Sequence, residues 1–181
     1  MKKWKTLTSD IVFDTKWIKI QKDKVELPDG NVIDDFYTWR ERNVSQVVAI
    51  TKEKKILFVR QYKHAANEIC IELPAGYVDD GESFLDAAKR ELLEETGYEA
   101  SDLNFIGKLI HTPTKSPGVV HVFLATVIEK TSIQNLDQNE NIEVLELEIE
   151  EVVKKISSGE IWASGTIASF FLALNRLKYK L

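Results

Sequence analysis

Over residues 1–43 the apolar positions alternate with polar ones and never settle into a helical period. In WIKIQKDKVEL, Trp17, Ile18 and Ile20 and then Val25 and Leu27 mark a strand. PDGN supplies a turn, and VIDDFYTWRER reads as a second strand. A hairpin alone is marginal in water, so this one is expected to pack on the rest of the chain or on a second subunit. Trp17, Phe36, Tyr37 and Trp39 are many aromatics for so short a piece. They suit interface packing, or the stacking of one or two of them on a flat ligand.

From Val44 onward the pattern mixes periods. VSQVVAIT and KILFVRQY read as strands around a KEK turn, and EICIELPAG as a strand ending at Pro-Ala-Gly. A helix follows, then strands in LNFIGKLIHT and VVHVFLATVI and a further one in IEVLELE. IEEVVKKISSG and TIASFFLALNRLKYK carry helical spacing. The order β-β-β-α-β-β-β-α-α predicts the α/β (α+β) class: a mixed-sheet sandwich with helices on the faces of a largely non-parallel sheet. Residues 1–43 are expected to form an appendage and residues 44–181 the main domain.

Charge narrows the chemistry. A net charge of −5 argues against binding a nucleic-acid backbone, which calls for a clustered basic surface. The same charge disfavours any anionic substrate unless a cation accompanies it. The single cysteine, Cys70, excludes an intramolecular disulfide; in the apolar run ICIEL it is expected to be a buried thiol in a reducing compartment. MKKWKTLTSD is followed by no apolar stretch, and no apolar run approaches the ~18 residues of a membrane span. A soluble, cytoplasmic protein is expected. His64, His111 and His121 lack the spacing of a zinc site and are assigned structural places.

The most informative stretch is LPAGYVDDGESFLDAAKRELLEETGY, Leu73 to Tyr98. Ser83 with Asp86 three residues later predicts a helix start, and Gly97 a terminator. Leu85, Ala88 and Leu92 form the predicted apolar stripe. At 100° per residue Glu91 and Glu95 lie about 40° apart, with Glu94 about 60° to the other side, so the three acids share one face. Glu95 is expected to be exposed, so that Glu95→Gln spares the fold. Arg90 alone cannot neutralise three acids, and a solvated face would intersperse lysines. Oxygen donors gathered beside the core suit a hard divalent cation, Mg²⁺ or Mn²⁺.

From Gly76 the chain reads glycine, five residues, Glu82, seven residues, then RELLEETGY. This resembles the Nudix box, G-x5-E-x7-R-E-U-x-E-E-x-G-U with U bulky and apolar, at every fixed position; Tyr98 is an unusual final U. The resemblance implies a Nudix-type α/β/α sandwich and Mg²⁺-dependent hydrolysis of a nucleoside diphosphate linked to another group. It implies Glu91 and Glu95 as metal ligands, with the carbonyl of Ala75 a third and Glu94 a further ligand or supporting acid. Glu82 and Arg90 are implied as the ion pair that shapes the loop-helix-loop.

The flanks VRQYKHA at 59–65 and IELPAG at 71–76 resemble the ADP-ribose pyrophosphatase group, the nucleoside diphosphate-sugar hydrolases, which carries an N-terminal strand appendage and pairs its subunits. Pro113, sixteen residues beyond Gly97, also agrees with that group, as does the acidic loop and helical tail from Leu136. The group implies a homodimer, Lys63 on the phosphates where an arginine is usual, and Glu140 as the loop glutamate that positions or deprotonates water, with Glu143 the runner-up. It implies Trp17 with Phe36 sandwiching the base and Arg40 as their polar companion. Thr114 stands in place of the group's glycine and Pro117-Gly118 in place of its acidic pair. Hydrolysis of ADP-ribose to AMP and ribose 5-phosphate is the leading expectation. GDP-mannose or another nucleoside diphosphate sugar stays open, as does a catalytically silent nucleotide-sugar sensor.

Overall fold

A computed structural model of the chain describes residues 1–16 and 18–179; Trp17 lies outside the described residues. The described chain divides into two compact units, one of residues 1–42 with 110–119, the other of residues 43–109 with 120–181.

In the first unit, β1 (Lys5–Asp14), β2 (Lys19–Glu26) and β3 (Val32–Arg40) form an antiparallel sheet in that order. The expected hairpin is therefore β2–β3. Its turn closes through the Leu27 N–H on the Asn31 carbonyl, with Gly30 at φ 88° and Asp29 accepting from the Asn31 N–H. The alternation at the N-terminus adds a third strand to it. Asp23 is buried between strands, where it accepts from Ser9 Oγ at 2.6 Å and Gln21 Nε2 at 2.9 Å. The segment 110–119 joins this unit through the Trp39 N–H, which donates to the Lys115 carbonyl.

The second unit holds β4 (Val44–Ala49), β5 (Ile56–Lys63), β6 (Glu68–Glu72), β7 (Ala75–Tyr77), α1 (Phe84–Thr96), β8 (Tyr98–Ala100), β9 (Asn104–Ile110), β10 (Val119–Ala125), β11 (Ile128–Lys130), β12 (Ile142–Leu147), α2 (Ile149–Ser158) and α3 (Ser164–Arg176). One mixed sheet runs β7-β4-β10-β9, with β4 parallel to β10 and antiparallel to β7; an antiparallel sheet runs β12-β5-β6. Besides β1, the expected strands do not include β8, and the one expected in VVHVFLATVI is split into β10 and β11, which pairs with β8 in segments too brief to alternate.

The strands are apolar on both faces because each face has a helical cover. Val48, Phe58 and Val122 pack with Val152 of α2 and Phe170 and Leu174 of α3, whereas Val47, Leu57 and Phe123 pack with Ala88 and Leu92 of α1. Consecutive residues thus serve opposite layers, giving the expected mixed α/β/α arrangement. Cys70 is buried, as expected. No helix among the described residues is long and apolar enough to cross a membrane.

Candidate active site

α1 forms where its caps direct. Ser83 in extended backbone accepts the Asp86 N–H at 3.1 Å and donates to the Asp86 carboxylate at 2.6 Å. Gly97 ends the helix at φ 76°, its N–H on the Leu93 carbonyl. The buried stripe departs from the expected one: Leu85 is 37% exposed, and Phe84 packs on the core in its place. The stripe instead continues from Ala88 and Leu92 into Glu95, at i, i+4 and i+7.

That placement corrects the expectation for Glu95, which is only 4% exposed. Its Oε2 accepts the Ala75 N–H at 3.0 Å. Ala75 therefore meets the acid through its amide; the register pairs Ala75 with Gln46 of β4. Burial pushes the Glu95 carboxyl up to about 8, and the charges of Glu91 and Glu140 act in the same direction, against the Ala75 N–H and Lys63. Burial also raises Glu91, opposed by Arg90 and reinforced by Glu94 and Glu140.

Arg90 organises the acids around it. Its Nε and Nη2 form a fork on Glu82 Oε1 and Oε2 at 2.9 and 3.0 Å, and Nη2 also donates to the Tyr77 carbonyl at 2.9 Å. Nη1 is shared between Glu91 Oε1 at 2.6 Å and Glu94 Oε2 at 3.0 Å. Glu82 further accepts the Asp79 N–H, so the Glu82–Arg90 pair ties the loop before α1 to the helix. The bonds to Glu82, above all, keep the guanidinium protonated at every accessible pH.

Lys63, at the end of β5, lies 3.4 Å from Glu72 and holds Glu95 down electrostatically. Glu140 closes a turn: its N–H donates to the Asp137 carbonyl and its Oε2 accepts the Asp137 N–H. Glu143, the runner-up for the loop acid, is ion-paired with Arg60. In the other unit, Phe36 meets Trp4 edge-on at 5.7 Å, carries the Lys115 ammonium 4.7 Å over its ring, and Arg40 donates to Gln21 Oε1. His121 stacks on Phe84 with ring centroids 3.5 Å apart, a packing role.

The donor set suits a hard dication in kind: carboxylate oxygens, one nearly buried, with a single guanidinium among them. Gly76 leaves room for one of these acids, since a Cβ there would fall 2.0 Å from the Glu91 carboxylate. Among the described residues no three acidic, histidine or cysteine side chains already stand at cation-binding distance. Glu91 and Glu94 are both turned onto Arg90. Beyond these groups a cavity of about 620 Å³ is lined by Arg60, Tyr62 and Ile69 and by Asn139 and Asn141, the neighbours of Glu140. A second of about 640 Å³, at Ile50, Lys52, Glu148 and Tyr179, includes none of the acid cluster.

Sequence reasoning missed Gln134, whose amide reaches the helix carrying the acids. Its only signal was a polar residue in a loop, which is no signal.

Comparison with known proteins adds to this geometry. The NUDIX domain model matches residues 40–169, and the model described as the nucleoside diphosphate sugar hydrolase N-terminal domain matches residues 4–39. The chain is 33% identical to the methanol dehydrogenase activator of Bacillus methanolicus over 97% of this chain and 96% of that protein. It is 34% identical to the ADP-ribose pyrophosphatase of Bacillus subtilis (strain 168), covering 90% and 88%, and 32% identical to the GDP-mannose pyrophosphatase of Salmonella choleraesuis (strain SC-B67), covering 70% and 68%. A crystal structure of an ADP compounds hydrolase superposes with a TM-score of 0.85 over 98% of this chain and 96% of that one, at 21% identity.

Proposed function

The chain belongs to the Nudix hydrolase family, and on that premise we propose that it hydrolyses the diphosphate bridge of a nucleoside diphosphate sugar with Mg²⁺, ADP-ribose being split to AMP and ribose 5-phosphate. Members of the family generally use a divalent metal. The observation that carries the reading is Glu95, an acid nearly buried beside Glu91 and within electrostatic reach of Glu140, an arrangement that costs stability unless a cation joins it.

Glu91, Glu94 and Glu95, with the Ala75 carbonyl, would hold Mg²⁺. The ion would neutralise the diphosphate and lower the pKa of a coordinated water. Glu140 takes the proton of the attacking water or orients it; water oxygen bonds to one phosphorus as the bridging P–O bond breaks. Lys63 places a point charge on the phosphates without an arginine's fork. Glu82 and Arg90 keep the loop before α1 in shape. Trp17 and Phe36 stack the base, worth about 1–3 kcal/mol, with Arg40 beside them. Relatives named for ADP-ribose and for GDP-mannose, together with Thr114 and Pro117-Gly118 in the loop, keep GDP-mannose as the second substrate.

Release of phosphate from a nucleotide-sugar panel, coupled to a phosphatase with and without Mg²⁺, tests the proposal. Metal-dependent turnover of ADP-ribose or GDP-mannose is expected. No turnover of any member by pure protein would favour a silent sensor, and preference for nucleoside triphosphates would overturn the substrate class.

The first unit exposes Leu7, Ile11 and Phe13 of β1 and Val32 and Tyr37 of β3. Apolar exposure on this scale in an open three-stranded sheet supports a homodimer through it. Sedimentation should give twice the 20.7 kDa chain mass, and Ile11→Lys with Phe13→Lys should return it to the monomer. A wild-type monomer at micromolar concentration would count against the dimer.

A further inference from the structure

Among the described residues, one side chain fastens the loop that presents Glu140 to α1. Gln134 Nε2 donates to the Glu95 carbonyl at 2.6 Å and to the Ile142 carbonyl at 3.1 Å. An amide nitrogen has two N–H groups, and two carbonyl acceptors account for both, which also settles which way the amide faces. The first acceptor belongs to the last turn of α1, where carbonyls lack partners within the helix. The second opens β12, directly after the loop. The same amide therefore joins the beginning of segment 135–141 to its end and ties both to the helix of the acid cluster.

Neighbouring backbone bonds set the register. The Asn135 N–H donates to the Glu94 carbonyl, and the Thr131 and Ser132 N–H groups donate to the Gly97 carbonyl. The turn from Asp137 to Glu140 then closes on itself, with the Asp137 N–H on Glu140 Oε2. The charge of Glu140 is felt at both Glu91 and Glu95. Of these ties, Gln134 provides the side-chain link between the helix and both ends of the loop.

We propose that Gln134 is a positioning residue for the hydrolysis: by clamping the loop between α1 and β12 it fixes the turn that carries Glu140. This rests on the reading of the acid cluster as a hydrolytic centre. Among the described residues the hydrogen bonds of Glu140 run to the Asp137 backbone, within the loop itself, and a misplacement of about 1 Å at a reacting group can cost on the order of 10²-fold in rate. Gln134→Met keeps the length of the side chain and removes both donors; Gln134→Glu keeps the shape and replaces donors with acceptors.

Both variants should lower kcat by roughly 10–100-fold while KM for the nucleotide sugar stays within about threefold. In a Glu140→Gln background the same substitutions should cost almost nothing more, because the group they position is already gone. Full additivity of the two losses, or wild-type kcat in Gln134→Met, overturns the proposal. Hydrogen exchange of the wild-type protein supplies a readout apart from turnover: the Asn135 and Glu140 amides should be protected like the last turn of α1, and Gln134→Met should speed them at least tenfold without changing Leu92. Exchange at those amides as fast as in an unstructured chain overturns it whether or not a variant folds. If the wild-type protein turns over no nucleotide sugar, the hydrolytic reading fails, and exchange alone then decides whether the clamp exists.

Discussion

Glu95→Gln should abolish turnover and, in metal-free protein at pH 8, raise the melting temperature. Activity falls on the order of 10³-fold or more, because a neutral amide cannot hold the dication that offsets charge on the leaving phosphate. The gain in stability comes from burial. Glu95 is 4% exposed, and its folded-state pKa is about 8 against an ordinary value of 4.5. Below about pH 4.5 folded and unfolded chains both hold the proton, and the residue costs nothing. Between pH 4.5 and 8 the folded chain keeps a proton that the unfolded chain has released, so stability falls as pH rises. By pH 8 the loss is on the order of a few kcal/mol, and glutamine removes it while still accepting from Ala75. Melting curves of both proteins from pH 5 to 8.5 check the sign: the wild type should fall relative to the variant across that window. Mg²⁺ should restore the wild type most at the alkaline end, since carboxylate ligands bind only when deprotonated, and should leave the variant unchanged. Parallel curves for the two proteins would show that Glu95 is ionised in the folded chain without a cation.

Two glycines of the same motif should respond differently to alanine, one chiefly in stability and the other chiefly in activity. Gly97 lies at φ 76°, and a Cβ there would fall 2.3 Å from the Ser132 carbonyl oxygen, a backbone atom that cannot step aside alone. Left-handed backbone costs alanine about 1–2 kcal/mol, and the clash adds to it, so Gly97→Ala should lose roughly 2–4 kcal/mol, or about 4–16 °C in melting temperature. It should also lower kcat, because Ser132 begins the segment that leads to Gln134. Gly76 has ordinary φ, and the three nearest atoms to its added Cβ all belong to the Glu91 carboxylate, at 2.0 to 2.3 Å. A flexible carboxylate can move. Gly76→Ala should therefore fold within about 1 kcal/mol of the wild type, yet lose on the order of 10²-fold in kcat/KM and bind Mn²⁺ more weakly. Thermal melts with Mn²⁺ titration distinguish the two. Equal destabilisation by both substitutions would mean that the Gly76 site is packed more rigidly than the position of Glu91 indicates.

Much of this was legible in one dimension. The order of strand-like and helix-like segments announced a sheet with helices on its faces, because each element's apolar side must find another layer to cover it. Ser83 and Gly97 bounded α1 because capping depends on residues adjacent in sequence. The spacing from Gly76 to Gly97 pointed to the family, since that motif is a local loop-helix-loop whose roles follow from its own order.

What only the tertiary structure decided is which of those acids is buried, what restrains them and what approaches from afar. Glu95 enters the core because Ala88 and Leu92 already face it and the helix continues their line; the short strand at Ala75 then supplies its hydrogen bond. Arg90 distributes its donors over Glu82, Glu91, Glu94 and Tyr77, a division that spacing along α1 cannot apportion. Gln134 meets its acceptors on α1 and β12 only after the chain has crossed between two sheets, and nothing in its sequence neighbours records that approach. Local order settles caps and periodicity because their partners lie within a few residues; burial and long-range hydrogen bonds depend on surfaces that exist only once the layers have packed.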